Sequence, residues 1–506
     1  MSSYILAHDL GTTGDKATLF NEEGRLVASE FSAYGTIYPK AGWAEQDPED
    51  YWRAFCRSTK AIIEHSGIKP DDIAAVCFSG QMMAALPVDG KGRPLRNSII
   101  WADLRATKEA STIAERIGHK RFYTISGNSI SASYPAAKIM WIMRNEPDIY
   151  RRTCKFLGAK DFVGAKLTGS LVSDYSEASA MALLNITSLN WADEIVSAAE
   201  IDRDKLPDLV ESTSVIGRVK AAPADECGLK AGTAVVKGAG DGPCATAGAG
   251  VVSDGESYFY LGTSTWMGLA SRRPYLDPEM RTHTFCHFEK GLYAPAGAMQ
   301  SGGGSVQWLK DALCGHEARQ AEDIGIDVYD ILSMRAENAP PGCFGLIFLP
   351  YLMGERCPFW NPNARGCFIG LSIVHTKDHI IRAVFEGVAY NMKLIAEAFE
   401  QQGADHSSIR MIGGGAKSAL WCSIFADVME KDIVVLDHKE EATSIGAAIA
   451  GGVGVGMFSS IHEADRFVKI DRKVQARSEN SGVYRKYYDI FQMSYRKLSI
   501  LFPKLI

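Results

Sequence analysis

Near the N-terminus, Asp9-Leu10-Gly11-Thr12-Thr13-Gly14-Asp15-Lys16 joins an acid to a turn of glycines and threonines. Glycines let a backbone approach an anion, and successive turn N–H groups can cradle phosphate oxygens, with threonine hydroxyls as further donors. Asp9, at a strand end, could hold Mg2+ through water, since Mg2+ keeps much of its hydration. The plain alternative is a tight hairpin turn with a capping Asp. The string is not a Walker A loop, which needs G-x-x-x-x-G-K-[ST] opening a helix. Leu261-Gly262-Thr263-Ser264-Thr265 repeats the Leu-Gly-Thr pattern half a chain later. By itself it is a turn; as the mate of the first it makes a two-jawed phosphate clamp. Ile412-Gly413-Gly414-Gly415-Ala416-Lys417-Ser418 reads as a strand, a bare glycine turn and a helix. A flat ring or a phosphate can lie on such a turn, or it simply connects two elements. In Gly238-Ala239-Gly240-Asp241-Gly242-Pro243 an acid stands exposed at a strand end, able to take a proton from an attacking hydroxyl or to cap the next helix. Gly452-Val453-Gly454-Val455-Gly456 lacks Rossmann spacing and reads as a loop.

The elements around these strings must aim them. Tyr4 to His8, Ala17 to Phe20 and Arg25 to Tyr34 read as a three-stranded meander opening on the first turn. Asp47-Pro48-Glu49-Asp50 is a helix start, with Asp at the N-cap and Pro at N1. Ile73 to Phe78 then forms a buried strand. The second half restarts the pattern, with Ser257 to Tyr260 and Trp266 to Ala270 as strands around the second turn. Later strands are Leu346 to Leu349 and Ile409 to Ile412; His379 to Glu397 and Val483 to Leu501 are amphipathic helices. Strands alternating with helices of this length indicate an α/β architecture. Similar turns in similar hairpins point to a duplicated unit, with the boundary at Val252-Ser253-Asp254-Gly255. The expected domains are therefore residues 1–252 and 253–506.

Composition bounds the function. The 506 residues carry 54 Lys+Arg against 60 Asp+Glu, a net charge of −6, which argues against a nucleic-acid binder. Eleven cysteines are scattered without CxxC or zinc spacing, which reads as a reduced, cytoplasmic protein. No apolar run reaches the length of a membrane span.

Taken in order, Asp9-Leu-Gly-Thr-Thr, Ser79-Gly-Gln-Met, Gly240-Asp241, Leu261-Gly-Thr-Ser and Gly413-Gly-Gly-Ala-Lys-Ser resemble the FGGY carbohydrate kinases, on the xylulokinase-like branch. Two longer segments are similar to the family signatures. One runs Ser133-Tyr-Pro135-Ala-Ala-Lys138-Ile-Met-Trp141. The other joins Gly366-Cys-Phe368-Ile-Gly370-Leu371 to Ala383-Val-Phe-Glu386-Gly387. Further matches are Trp101-Ala-Asp103-Leu-Arg105 and Leu349-Pro350-Tyr351-Leu-Met-Gly354-Glu355-Arg356.

The resemblance implies an actin/hexokinase/Hsp70-like fold, with two RNase-H-like domains around a central cleft. It implies ATP and Mg2+ as cofactors and a small sugar or polyol as substrate. Asp241 would be the catalytic base and Asp9 the Mg2+-positioning acid. Gly11, Thr12, Thr13 and Lys16 would form the first phosphate loop, and Gly262 and Thr263 the second. Gly304 and Gln307 would line the ATP cleft, while Gly414, Gly415, Ala416 and Ser418 would hold adenosine. Gln81, Met82, Met83, Trp101 and Asp103, with Asp241, would face the sugar. Relatives are often homodimers, so a homodimer is admitted. An ordinary Asp has a pKa of about 4 and is ionised at pH 7.

Two positions depart from the xylulokinase pattern. Met83 stands where those enzymes carry a His, and Gly242 where the catalytic Asp is followed by Asn or Gln. A thioether donates no hydrogen bond to a hydroxyl. The expected reaction is phosphorylation of a ketopentose such as xylulose, or of a related ketose or polyol. A phosphatase or ATPase on the same fold and a non-catalytic sugar sensor are the alternatives.

Overall fold

The computed structural model describes residues 3–437 and 440–505. The expected meander forms as β1 (Tyr4–Leu10), β2 (Gly14–Asn21) and β3 (Leu26–Ala33). Helix α1 (Pro48–Ser66) starts as expected, with the Asp47 side chain accepting the Glu49 N–H. β4 (Ile73–Gly80), β5 (Val215–Arg218), β6 (Ala234–Val236) and the short β7 (Ala239–Gly240) complete the first sheet. Its order is β5-β6-β4-β1-β2-β3, with β7 on the end of β4. β1, β4 and β6 are parallel; β2, β3 and β5 run antiparallel to their neighbours. Helix α2 (Asp241–Gly248) leaves directly from β7.

The second sheet contains β8 (Ser257–Leu261), β9 (Thr265–Leu269), β10 (His283–Cys286) and β11 (Tyr293–Met299). After α3 (Gly303–Leu313) and a separate two-stranded ribbon of β12 (Ile347–Leu349) and β13 (Cys367–Ile369), the long helix α4 (Lys377–Glu400) crosses its face. It is completed by β14 (Ser408–Ile412), β15 (Asp432–Leu436) and β16 (Ile470–Val474) in the order β10-β11-β9-β8-β14-β15-β16. A meander, two further parallel strands and one antiparallel edge are thus common to both sheets. The duplicated hairpin is a duplicated sheet, the two-domain α/β arrangement of the actin/hexokinase group. The strand expected at Leu346 to Leu349 forms over Ile347–Leu349, in the ribbon rather than the main sheet. A later C-terminal helix, α7 (Ser478–Leu498), packs Tyr484, Tyr488 and Phe491 into the second core.

A helix late in the chain joins the halves. α5 (Ala419–Met429) follows the triple glycine, and α6 (Ala442–Gly454) then returns to the first sheet. Ile445, Ala448 and Ile449 of α6 share a core with Ile5, Ala7, Cys77 and Val236. α6 crosses α2 at backbone contact. A Cβ on Gly248 would lie 1.8 Å from the Ala442 oxygen, and one on Gly446 2.1 Å from the Cys244 oxygen. Only hydrogen at these positions permits the approach. The same packing overturns the loop expected at 452–456. Gly452 and Gly454 belong to α6, because its glycines are chosen for closeness to Phe458 and to the Thr213 oxygen, not for turning.

Candidate active site

Strand register builds the site. In the parallel ladder Asp9 lies beside Ser79, and Ser79 beside Ala239; one step on, Leu10, Gly80 and Gly240 align. Asp9 therefore ends one strand while Asp241 begins the helix that leaves the strand two places over. Both acids open at the carboxyl edge of a parallel sheet, where α/β folds bind ligands.

Asp9 accepts a hydrogen bond from Thr443 Oγ1 at 2.7 Å through Oδ2, while Oδ1 is buried without a partner. Burial, and the nearby Asp15, push its carboxyl above the usual range. Asp241 Oδ1 accepts the Gly242 N–H at 2.8 Å. Burial first, and then the Asp9 charge, push Asp241 up to about 7. The expectation of an exposed, ordinary carboxylate is thus corrected. The helix alternative also fails in its simple form, because Gly240 is the N-cap and Asp241 the first helical residue. An orphaned buried oxygen beside a second acid fits a divalent cation. No cluster of three or more His, Cys, Asp or Glu that could ligate a metal occurs among the described residues. This suits Mg2+ held by Asp9, water and phosphate oxygens.

The segment leading to Asp241 rests on buried charge. Gly240 N–H donates to Ser176 Oγ at 2.9 Å, and Ser176 Oγ donates to Asp174. Asp174 pairs with Lys160, which also reaches Asp161 at 3.0 Å; Lys237 pairs with Asp161. All these side chains are buried. The sequence holds no local signal for this network, because it is assembled from three separate segments, at 160–161, 174–176 and 237–240.

The first turn is held by side chains. Gln81 Nε2 donates to the Gly11 oxygen at 3.3 Å and to Gln46 Oε1 at 2.7 Å. Gln46 Nε2 donates to the Thr12 oxygen at 2.7 Å, and the Tyr34 hydroxyl donates to the Gly11 oxygen. Trp101 Nε1 donates to Thr12 Oγ1 at 2.9 Å. Thr13 is exposed at the tip. Lys16 Nζ reaches Glu441 Oε1 at 3.1 Å, so it faces the start of α6. Thr443 in the first turn of α6 is a site residue that sequence reasoning missed; its stretch of small residues carries no acid or glycine turn to mark it.

The second turn is held by backbone. Gly303 N–H donates to the Gly262 oxygen at 2.8 Å and Gly304 N–H to the Thr263 oxygen at 2.9 Å. Gln307 is exposed one turn along α3. Gly413 has φ 89°, and a Cβ there would lie 2.6 Å from the Leu261 oxygen. A Cβ on Gly415 would lie 2.8 Å from that of Leu261. The second turn and the triple glycine therefore form one surface, on which Gly414 is open. Ala416 is buried and presents no side chain to it; its oxygen accepts from Arg472 at 2.8 Å. Ser418 caps α5 by accepting the Trp421 N–H at 3.1 Å and contacts Ser333 Oγ at 2.9 Å. Glu441 ties the halves by pairing with Lys16, while Glu440 pairs with Lys417 at 2.6 Å within the second half. Tyr260, beside the second turn, feels the charges of both Asp9 and Asp241.

The residues expected at the sugar divide. Met82 packs with Ala180 and Phe285, and Met83 and Tyr134 lean on that cluster. A Cβ on Gly240 would lie 2.5 Å from Met82 Cγ, so Met82 floors the segment before Asp241. Met83 has φ 65°, and its oxygen accepts from the buried Lys138 at 3.0 Å. Asp103 is fully buried; it binds Arg105 and accepts the Ala44 N–H at 2.6 Å. It anchors the 101–105 loop rather than opening into the cleft. Arg105 in turn lies 3.7 Å over the Trp43 ring.

Comparison with known proteins decides the family. The model of the N-terminal domain of the FGGY family of carbohydrate kinases matches residues 4–248, and that of the C-terminal domain residues 257–455. The chain belongs to the FGGY family of carbohydrate kinases. It is 33% identical to a gluconokinase of Bacillus licheniformis, over 97% of this chain and 95% of that one. It is 30% identical to a xylulose kinase of Bacillus subtilis, over 97% and 96%. The crystal structure of gluconate kinase from Lactobacillus acidophilus superposes with a TM-score of 0.92 at 27% identity, covering all of both chains. This FGGY kinase is therefore a carbohydrate-phosphorylating enzyme. No described helix is long and apolar enough to cross a membrane.

Proposed function

We propose that this FGGY kinase transfers the γ-phosphoryl group of Mg-ATP to a hydroxyl of a linear sugar, with Asp241 as general base. The observation that carries the reading is the pair Asp9 and Asp241 on adjoining ends of a parallel sheet, facing two Gly-Thr turns. Asp241, raised to about 7, is poised to take the hydroxyl proton as oxygen attacks phosphorus and ADP leaves. Mg2+, when bound at Asp9 through water, would neutralise charge on the phosphates. Thr12, Thr13 and Thr263 donate to phosphate oxygens, while Gly11, Gly262 and Gly304, whose N–H groups close the turns, let the backbone approach them. Gly414 and Gly415 offer a bare surface to the adenosine.

A ketopentose such as xylulose, or a related ketose or polyol, fits the xylulokinase-like pattern. The gluconokinase relatives favour a second reading, a sugar acid of similar length. No disulfide joins the cysteines among the described residues, which supports a reducing, cytoplasmic setting. An ADP-release assay with and without sugar tests the function. Release is expected to depend on sugar, and Asp241→Ala is expected to bind ATP but lose sugar-dependent release. Strong sugar-independent hydrolysis would instead mark an ATPase.

A further inference from the structure

Each Leu-Gly-Thr turn is preceded by a polar side chain at a strand end, Asp9 before the first and Tyr260 before the second. Tyr260 thus holds in the second sheet the place that Asp9 holds in the first. Each has a parallel neighbour, Ser79 or Ile412, and an antiparallel one, Lys16 or Trp266. The Tyr260 ring is half-buried, and its hydroxyl has no hydrogen-bond partner among the described residues. A Cβ on Gly262 would lie 2.2 Å from Tyr260 Cε1 and 3.0 Å from its hydroxyl oxygen. The ring therefore lies along the second turn, and only a glycine there leaves it room. Burial first, and then the charges of Asp9, Asp241 and Glu440, push the phenol above its usual range. It keeps its proton and is a neutral donor beside these acids.

A chain of contacts fixes this hydroxyl relative to Asp241. The Tyr260 ring stacks on Trp266, with centroids 3.8 Å apart and planes 13° apart. Trp266 Nε1 donates to the hydroxyl of the buried Tyr258 at 2.9 Å. That hydroxyl lies 3.3 Å from Thr246 Oγ1. Thr246 in turn donates to the Gly242 oxygen at 3.0 Å, within the helix that Asp241 opens. A phenol from the second half is thereby tied to the acid of the first. A donor already held in place costs no reorganisation when the reaction occurs. An unpaired hydroxyl gains most from an anionic acceptor, and the second turn is where the phosphates are expected.

We propose that Tyr260 is a further catalytic residue, whose hydroxyl donates a hydrogen bond to a peripheral oxygen of the phosphoryl group in transfer. This rests on the kinase reading above and adds to it a side-chain donor from the second half. The sugar oxygen bonds to phosphorus as the bond from phosphorus to the leaving oxygen of ADP breaks, and the sugar's proton passes to Asp241. Tyr260 keeps its own proton throughout. Its fixed place suits the planar phosphoryl midway between ADP and sugar, so the bond counts in kcat.

Tyr260→Phe keeps the stacked ring and removes only the hydroxyl. ADP release is measured with D-xylulose and with D-gluconate. Binding of Mg-ADP is measured by calorimetry with and without aluminium fluoride, which completes ADP as a planar mimic of the group in transfer. Tyr260→Phe is expected to lower kcat about 30-fold, with the KM for sugar, the Kd for Mg-ADP and the thermal midpoint at wild-type values. It is expected to lose a similar factor in the affinity that fluoride adds. Wild-type kcat in Tyr260→Phe overturns the proposal, and an impaired Tyr260→Leu beside it would leave the ring a packing role. A loss of Mg-ADP affinity as large as the loss of kcat overturns it too, by assigning Tyr260 to ADP. If neither compound stimulates ADP release in the wild type, the kinase reading fails. The fluoride complex then still decides whether Tyr260 holds a phosphoryl group.

Discussion

The two Gly-Thr turns occupy the same place in two copies of one sheet, yet they are built differently. The first follows Asp9 and is clasped by side chains of Gln81, Gln46, Tyr34 and Trp101 from four other segments. The second follows Tyr260, whose ring stacks on Trp266 at 3.8 Å. It is clasped by the backbone N–H groups of Gly303 and Gly304. One copy carries the carboxylates and the other carries none. Duplication supplied two Gly-Thr turns, and divergence left the two acids beside the first and a bare-backbone clasp on the second.

Substitutions can break this division, and they rank by how directly they touch the reacting atoms. Asp241→Asn is expected to lower kcat by about 10³-fold, measured by sugar-dependent ADP release, because an amide cannot take the proton. The same variant reports stability. A carboxyl raised to about 7 makes a contribution that is fully present below its unfolded pKa of about 4 and lost as pH rises through 7. Asp241→Asn should therefore melt above the wild type at pH 8, with the gap closing towards pH 4 in thermal scans. Wild-type kcat/KM for sugar should also fall as pH drops below about 7, the value of the free base.

Asp9→Asn comes next, at about 10²-fold in kcat with a raised Mg2+ requirement in titrations at fixed ATP. Removal of the Asp9 charge should also shift the acid limb of the pH profile downwards, since that charge raises Asp241.

On the backbone side, Gly303→Ala puts a methyl 2.4 Å from the Gly262 oxygen. It is expected to raise the KM for ATP by roughly 10- to 30-fold while changing kcat less, because the turn is displaced but the acids are not. The smallest effect belongs to a single clasp of the first turn. Gln81→Ala removes the bonds to Gly11 and Gln46; a threefold to tenfold loss in kcat/KM for ATP follows from about 1 kcal/mol of lost hydrogen bonding. Should Gln81→Ala match Gly303→Ala in size and kinetic pattern, the contrast between the two turns would disappear.

Much of the fold was legible because its signals are local. The Leu-Gly-Thr repeat marked both hairpins, Asp47-Pro48 marked the first long helix, and apolar spacing marked α4. The site was legible where chemistry and turn coincide, at Asp9, Asp241 and the glycines beside Leu261. It was not legible where function depends on packing. Asp103 reads as a substrate contact and is saturated by Arg105 and Ala44. Ala416 and Ser418 read as adenosine contacts, but one is buried and the other caps a helix. Gly452 and Gly454 read as a loop and lie in a helix, because a glycine that turns and a glycine that allows contact look the same in a string.

By itself the amino-acid sequence determined two α/β halves, the two Gly-Thr turns, the acids beside them and, through its motifs, the family. Those properties live in residue types and short spacings, which a linear string preserves. Only the tertiary structure decided that Asp9 and Asp241 adjoin through the register of β4, that Thr443 joins them, and that Asp241 is raised to about 7. A pKa depends on desolvation and on neighbours distant in the chain. Those neighbours exist only once the sheets have paired and α6 has folded back onto the first half.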